Sequence, residues 1–579
     1  MRTPKSATGP ARPSGSVPAG PANAGRPGDS GRPGDDAERP GDDAGDPGAA
    51  APAGRLREAG RRGGRVVRRH WLMTALLLAG LVLRVLAQVA YRPALLYIDT
   101  LKYLYNAWPG TDPLGYKGVL KVILLAGDLQ VVTAVQHLVG LAMGVTIYAV
   151  LLRRGVPRWL AALAAAPVLL DAYELQIEQT IMPDVWFSAL LLAGLVLLLW
   201  RPRPTPWAIA LAGLALGLSV TVAQVGEFLI LPAAFYAAIS ARGWRRAAGG
   251  AALMCLAFAV PVLAYMSISD VVSGHFWLSR SGETTLYGRV AAAADCATLK
   301  LPSDERALCP TARQKALGPD GLDHSPSSPL TLYVAPPGMS QTAIVSSFTE
   351  AVITQQPLRV LGAAASDAAR LFAVTRVTSP GDTPISRWQF QTSYPSYQNY
   401  IRTNRDGVII LGLKVQNPPP SYIYQPLDPS LGGKATVVGP LASFLRSYQL
   451  DGGYTPGPFY LAATLLGLAG TLSLVSRGRR RAASRDLAMA CCLFFTTAAV
   501  ILIFSDITEF SWRYQLPAIV TLPPAGALGL AVILAWLRGR RPPETRSAGA
   551  RPAVMRAVPP APPDQATPGA APDQATPTR

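Results

Sequence analysis

Ten apolar runs constrain this chain more than anything else in it. They span about 71–90, 129–152, 158–173, 184–200, 206–223, 226–241, 249–267, 457–476, 486–504 and 515–537. Runs of roughly 16 to 25 apolar residues suit helices that cross a bilayer, where every backbone polar group must be satisfied internally. Alternate junctions carry the arginines: Arg61, Arg62, Arg65, Arg68 and Arg69, then Arg153, Arg154 and Arg158, then Arg201 and Arg203. The series continues with Arg242, Arg245 and Arg246, then Arg477, Arg479, Arg480, Arg481 and Arg485, then Arg538, Arg540 and Arg541. With ten spans drawn, all of them fall on one side, and basic flanks mark the cytoplasmic side. The chain is therefore expected to be a multi-pass plasma-membrane protein with both termini in the cytoplasm. An odd number of spans would break this agreement.

The expected fold class is all-α and polytopic. Helices 1–7 fall in 71–267, an extracytoplasmic domain in 268–456, and helices 8–10 in 457–540. The formal charge of +19 could suggest nucleic acid, but its placement at span ends assigns it to topology, so no nucleic-acid partner is expected. Residues 1–70 carry a loose GRPGDD-type repeat and residues 541–579 repeat PDQATP. Both have too few apolar side chains to offset the entropy of ordering, and they read as disordered cytoplasmic tails. The central segment, about 190 residues, has room for its own core and is expected to be α+β. At its start Cys296 and Cys309, thirteen positions apart, are expected to form a disulfide; free thiols or metal ligands are the alternatives. Cys255, Cys491 and Cys492 lie in apolar runs and read as small core residues. In 343–374 the spacing places Ile344, Phe348 and Val352 on one helical side, followed by Leu358, Leu361 and Phe372, and Pro357 kinks or splits the helix. The stretch SRWQFQTSYPSYQNYIRTNRDG (386–407) reads as a loop-rich surface or as an aromatic, sugar-facing loop.

The first outer loop, 91–128, concentrates chemistry. It contains YRPALLYIDTLKYLYNAWPGTDPLGYKGVLK, in which Asp99 is surrounded by Tyr97, Tyr103, Tyr105, Trp108, Tyr116, Lys102, Lys117 and Lys121. A carboxylate, aromatic rings and amines at a membrane surface suit an enzyme whose substrate is half lipid and half polar. Asp99 could take a hydroxyl proton as a general base, with a pKa raised by partial desolvation. It could equally cap a helix beginning at TLKYLYNAW. The piece 118–126 is apolar except for Lys121 and too short to span, so it is expected on the surface or re-entering.

The context YIDTLKYL resembles the D-S/T-x-x-Y-L pattern of GT-C glycosyltransferases. These are polytopic enzymes, such as the protein O-mannosyltransferase (family 39) and aminoarabinose transferase types, that use polyprenyl-phosphate sugar donors. The resemblance covers about six spans and, less specifically, the last two. It implies an inverting hexosyl- or pentosyltransferase with Asp99 as base, acting on a cell-envelope glycan, lipid or protein outside the cytoplasm. The second outer loop, YELQIEQTIMPDVWF, lies where these enzymes carry another acidic residue, with Glu178 and Asp184 as candidates. Either could orient the acceptor, hold Mg²⁺ or Mn²⁺ with Asp99, or serve as an interface cap. There is no compact DxD, and some members of the family need no metal, so the cofactor stays open.

Arg513, in EFSWRYQLP, is the only arginine of the last outer loop, and its planar fork suits phosphate. The resembled enzymes often carry an R-Y pair here, which implies that Arg513 and Tyr514 contact the lipid phosphate; an interfacial anchor beside Trp512 is the alternative. Arg84 and Gln88 share one face of the first helix and turn it inward, to reach the donor phosphate or to pair with another helix. Lys102, Lys117 and Tyr103 are further substrate-binding candidates, the lysines through phosphate or through lipid headgroups. The histidines show no zinc spacing, and no P-loop or serine elbow is present. Two other functions fit a chain of this kind. A lipid-linked glycan flippase would show inverted repeats, and none is visible. A non-enzymatic envelope assembly protein would bind partners through 268–456.

Overall fold

A computed structural model of the chain describes residues 64–65, 67–97, 99–104, 113–279, 282–379, 381–393, 400–403, 409–411, 423–426, 429–475, 482–508 and 510–540. Contacts divide the chain into 1–66 and 67–579. The first unit and the two expected tails lie almost wholly outside the described residues.

Every one of the ten apolar runs is helical. The elements are α1 (Trp71–Ala90), α2 (Leu129–Arg153), α3 (Arg158–Leu170), α4 (Ala172–Gln179), α5 (Asp184–Leu199) and α6 (Pro206–Val222). They continue with α7 (Ile230–Ile239), α8 (Trp244–Ser273), α9 (Gly457–Leu472), α10 (Ala482–Thr508) and α11 (Ala518–Arg540). Five of the described helices, α1, α2, α8, α10 and α11, are long and apolar enough to cross a membrane, and α3 with α4 makes a sixth if the pair is one span bent by 47°. α5, α6, α9 and the stretch Gln224–Ile239 are apolar but shorter. These helices make the chain a multi-pass membrane protein. Close helix approach relies on small residues: a Cβ at Gly217 of α6 would lie 2.2 Å from the Phe258 carbonyl oxygen of α8.

The bend between α3 and α4 has a local cause. Asp171 is extended and its carboxylate caps α4, accepting from the Tyr173 amide at 2.9 Å. The same carboxylate accepts from the Thr455 amide at 2.7 Å, which fixes the entry to α9. The segment after α1 is tied to the chain that follows α4. Leu95 N donates to Gln179 O (2.9 Å), Ile181 N donates to Leu95 O (3.0 Å), and the Thr100 hydroxyl donates to Ile181 O (3.0 Å). The helix Gly115–Leu124 buries Tyr116 and Leu120 and exposes Val122, as a surface-lying helix does.

In the central segment a separate core gathers Tyr287, Val290, Leu308, Leu322, Phe348 and Val352. Cys296 and Cys309 form a disulfide with Cα atoms 6.1 Å apart. Helices Gln341–Gln355 and Pro357–Arg370 are separate, split where Pro357 starts the second. Ile344, Phe348 and Val352 are buried, but Leu358 and Leu361 are 81% and 52% exposed, against the expected single apolar side. Strands are few among the described residues: 400–403 pairs antiparallel with 409–411 and 423–426, and Tyr91–Arg92 pairs with Thr436–Val437. The expected α+β character rests on these strands alone. Cys255 is exposed on α8 and is not a core residue, whereas Cys491 and Cys492 are buried.

The disulfide closes a short loop at the edge of the Phe348 core. Replacing both Cys296 and Cys309 by Ser should lower unfolding stability by about 3 kcal/mol, the loop-entropy value for a loop of this size. Thermal melting with and without reductant measures it, and an unchanged melting temperature in both conditions would count against the account.

Candidate functional site

Asp99 and Asp184 come from different segments, one after α1 and one at the start of α5, and meet at one arginine. Asp184 opens α5, and Asp99 immediately precedes the short helix Thr100–Leu104. The backbone bonds of Leu95 with Gln179 and Ile181, with the Thr100 hydroxyl on the Ile181 carbonyl, bring the two starts together. Arg513 reaches both: Nε donates to Asp184 Oδ1 at 2.8 Å, and Nη1 donates to Asp99 Oδ2 at 3.2 Å. The other oxygen of Asp99 faces Lys102 Nζ at 3.3 Å. The carboxylate of Asp99 thus engages two cations, while its side chain keeps 29% of its surface exposed. Aromatic rings frame the guanidinium, with Trp388 and Tyr514 at 5.6 and 5.5 Å from its carbon. Trp388 packs on Tyr97 at 4.6 Å, so the central segment contributes a wall to the site.

These groups sit at one end of a cavity of about 490 Å³. Asp99, Lys102, Tyr103, Asp184, Arg513 and Tyr514 line its polar end. Val222, Val225, Phe228, Phe504, Ile507 and Pro517 line the rest. Phe228 and Phe504 stack face to face at 3.5 Å. Burial pushes the Asp99 pKa up, but Lys102 and then Arg513 outweigh it and hold the carboxyl below its ordinary value. This corrects the expectation of a raised pKa in the unliganded protein. Burial works against the Arg513 charge, and Asp184 first among its neighbours overcomes that, so the guanidinium stays ionised.

Other sequence candidates lie elsewhere. Glu178 and Arg84 form a buried pair at 2.6 Å, and neither lines the cavity. Arg84 also donates to the carbonyls of Leu169 (2.8 Å) and Val168 (3.0 Å) at the end of α3. His137 bridges Glu178 Oε2 (2.7 Å) and Gln179 Oε1 (2.8 Å). The inward face read for the first helix is present, and Arg84 pairs with other helices there. Gly140 permits the pair, since a Cβ would lie 1.9 Å from Glu178 Oε1. Gln88 donates to Gln130 O. Lys117 is half-buried on the surface helix and does not line the cavity.

The sequence reading missed Gln224, Glu227 and Phe228, which line the cavity from the turn after α6, and Ser505 and Thr508 from the end of α10. Gln224 between the apolar runs 206–223 and 226–241, and Glu227 at the start of the second, were the available signal. Among the described residues no three His, Cys, Asp or Glu side chains form a metal-ligating group. Asp99 and Asp184, two of the three carboxylates that could hold Mg²⁺ or Mn²⁺ by sequence, are bridged by the Arg513 guanidinium.

No family model matches the chain, and no curated protein sequence matches it. Solved structures do. The archaeal oligosaccharyltransferase AglB from Archaeoglobus fulgidus, in complex with an inhibitory peptide and a dolichol-phosphate, is 12% identical with a TM-score of 0.36. The match covers 84% of this chain and 53% of that one, so the chain spans about half the length of AglB. ArnT from Cupriavidus metallidurans bound to undecaprenyl phosphate is 13% identical with a TM-score of 0.28, over 83% of this chain and 82% of that one. Likeness at this level carries nothing about donor, acceptor or mechanism.

The Arg84–Glu178 pair predicts a separation of stability from activity. Glu178→Gln leaves Arg84 buried without its counter-charge and should destabilise the protein by about 3 kcal/mol or more. Gly140→Ala, by wedging the same pair, should also lower the melting temperature. A Glu178→Gln protein that melts like the parent would contradict the structural role.

Proposed function

We propose that the chain is a GT-C-type membrane glycosyltransferase that moves a sugar from a polyprenyl-phosphate donor to an extracytoplasmic acceptor. The acceptor would be a cell-envelope glycan, lipid or protein. The observation that carries this reading is Arg513, held between Asp99 and Asp184 at the polar end of a largely apolar cavity. A lipid-linked sugar phosphate has the same two-ended character.

In this reading the apolar wall, with Phe228 and Phe504, takes the start of the lipid. The donor phosphate accepts hydrogen bonds from Arg513, whose Nη2 has no partner among the described residues. Lys102 adds a second positive charge beside it. Asp184 keeps the guanidinium oriented through Nε. As the phosphate competes for Arg513, Asp99 loses part of the charge that depresses its pKa and becomes a better base. The acceptor oxygen then attacks the anomeric carbon, and its proton passes to Asp99. The bond from that carbon to the phosphate oxygen breaks, and the polyprenyl phosphate leaves with its negative charge held by Arg513 and Lys102. Attack from the face opposite the phosphate inverts the anomeric centre.

Transfer of radiolabelled sugar from polyprenyl-phosphate donors, in membranes holding equal amounts of folded protein, tests the reading. Asp99→Asn should lower kcat by about 100- to 10,000-fold, the range for loss of a general base. Transfer by that variant at the parent rate would remove Asp99 from the mechanism. The pH profile gives a second check. With Asp99 below its ordinary pKa in the free protein, the acid limb of kcat/KM should lie below about pH 4. The acid limb of kcat should lie at higher pH, because the bound phosphate draws on Arg513. Coincident limbs would contradict the competition for the guanidinium.

A further inference from the structure

A second cavity, of about 880 Å³, lies where α1 and α3 begin and α2 ends. Arg69, Arg158, His70, Tyr148, Trp71 and Trp159 are among its lining residues, and no acidic residue lines it. The arginines at this end of the bundle differ in what they contact. Arg153 donates to the Trp200 carbonyl at 2.6 Å, and Arg154 donates to the carbonyls of Leu199 and Arg201 at 2.8 Å, so both satisfy the end of α5. Arg69 and Arg158 make no hydrogen bond or ion pair among the described residues. Both charges nevertheless converge on one place. Burial first, then Arg158 and Arg69, hold the His70 imidazole below its ordinary pKa. That ring is fixed by the Tyr148 hydroxyl at 2.7 Å. Neither α1 nor α3 has an acidic residue in its first turn, so the helix dipoles add to the positive potential.

The surroundings point to a lipid as the source of the missing negative charge. Trp71 and Trp159 are 65% and 54% exposed at the rim, and indoles favour the headgroup level of a bilayer. Beyond them α1 exposes Leu78 and Val82, and α3 exposes Leu163, an apolar path for acyl chains. We propose that this cavity binds the phosphate headgroup of an anionic phospholipid between Arg69 and Arg158, with its chains along α1 and α3. The site is separate from the Asp99 cavity and does not rest on the glycosyltransferase reading.

Native mass spectrometry of the full chain, released from detergent containing phosphatidylglycerol and phosphatidylcholine, tests it. The parent should retain one phosphatidylglycerol in preference to phosphatidylcholine. R69Q with R158Q should weaken that retention about thirtyfold, about fivefold for each guanidinium near an anionic headgroup. R242Q with R245Q, which removes two arginines away from the cavity, should leave it unchanged. Equal retention by the R69Q/R158Q protein would overturn the proposal. Displacement of the lipid by excess inorganic phosphate would also overturn it, since the site would then take a soluble anion. Melting in lipid-free detergent should be the same for the parent and R69Q/R158Q. A lowered melting temperature would make these arginines structural and sink the proposal as well.

Discussion

A buried guanidinium without counter-charge costs several kcal/mol, and that constraint organises one end of this bundle. Arg513 comes from the turn before the last helix, Asp99 from the segment after α1 and Asp184 from the start of α5. Three distant segments must converge for the charge to be tolerated. The backbone bonds of Leu95 with Gln179 and Ile181, and the bond from the Thr100 hydroxyl to the Ile181 carbonyl, hold two of them together. The third is set by α11, whose apolar faces pack it into the main core. An ionic site of this sort depends on the whole fold, and its polar groups line one part of a largely apolar cavity.

A second ionic group lies deeper and does different work. Arg84, Glu178 and His137 join α1, α2, α3 and α4, and every charge in the group has a partner. Gln136 extends the group by donating to the carbonyls of Glu178 and Thr180, and Tyr116 donates to Gln136. This chain of bonds connects the core to the surface helix Gly115–Leu124 and to the loop that carries Asp99. It positions the segment after α1 from the core side, while Arg513 holds Asp99 in that segment.

Much of this was legible in the sequence, for physical reasons that differ by residue. Hydropathy identifies helices well, because a bilayer tolerates little else, and each apolar run is helical. Asp99, Asp184 and Arg513 each stood out as charges beside apolar runs, and the structure brings them together. Periodicity could not separate Glu178 from Asp184, since they are six positions apart with the end of α4 between them, and only tertiary contacts decide which carboxylate turns inward. Cys255 misled because an apolar residue on a membrane helix can face lipid as readily as core. Leu358 and Leu361 misled because an apolar residue does not have to be buried. Gln224, Glu227 and Phe504 reach the cavity from helix ends far apart in the chain, and a linear reading has little to join them.

The central claim is that Arg513 is shared between two carboxylates and the phosphate of a lipid. Titrating undecaprenyl phosphate into detergent-solubilised parent and Arg513→Ala protein, with Trp388→Phe as a control for local packing, measures it directly. The account predicts that Arg513→Ala weakens binding about tenfold to a hundredfold, the equivalent of one charge-assisted hydrogen bond, while Trp388→Phe changes it little. Equal affinity in the parent and Arg513→Ala proteins would contradict the claim and place the phosphate elsewhere.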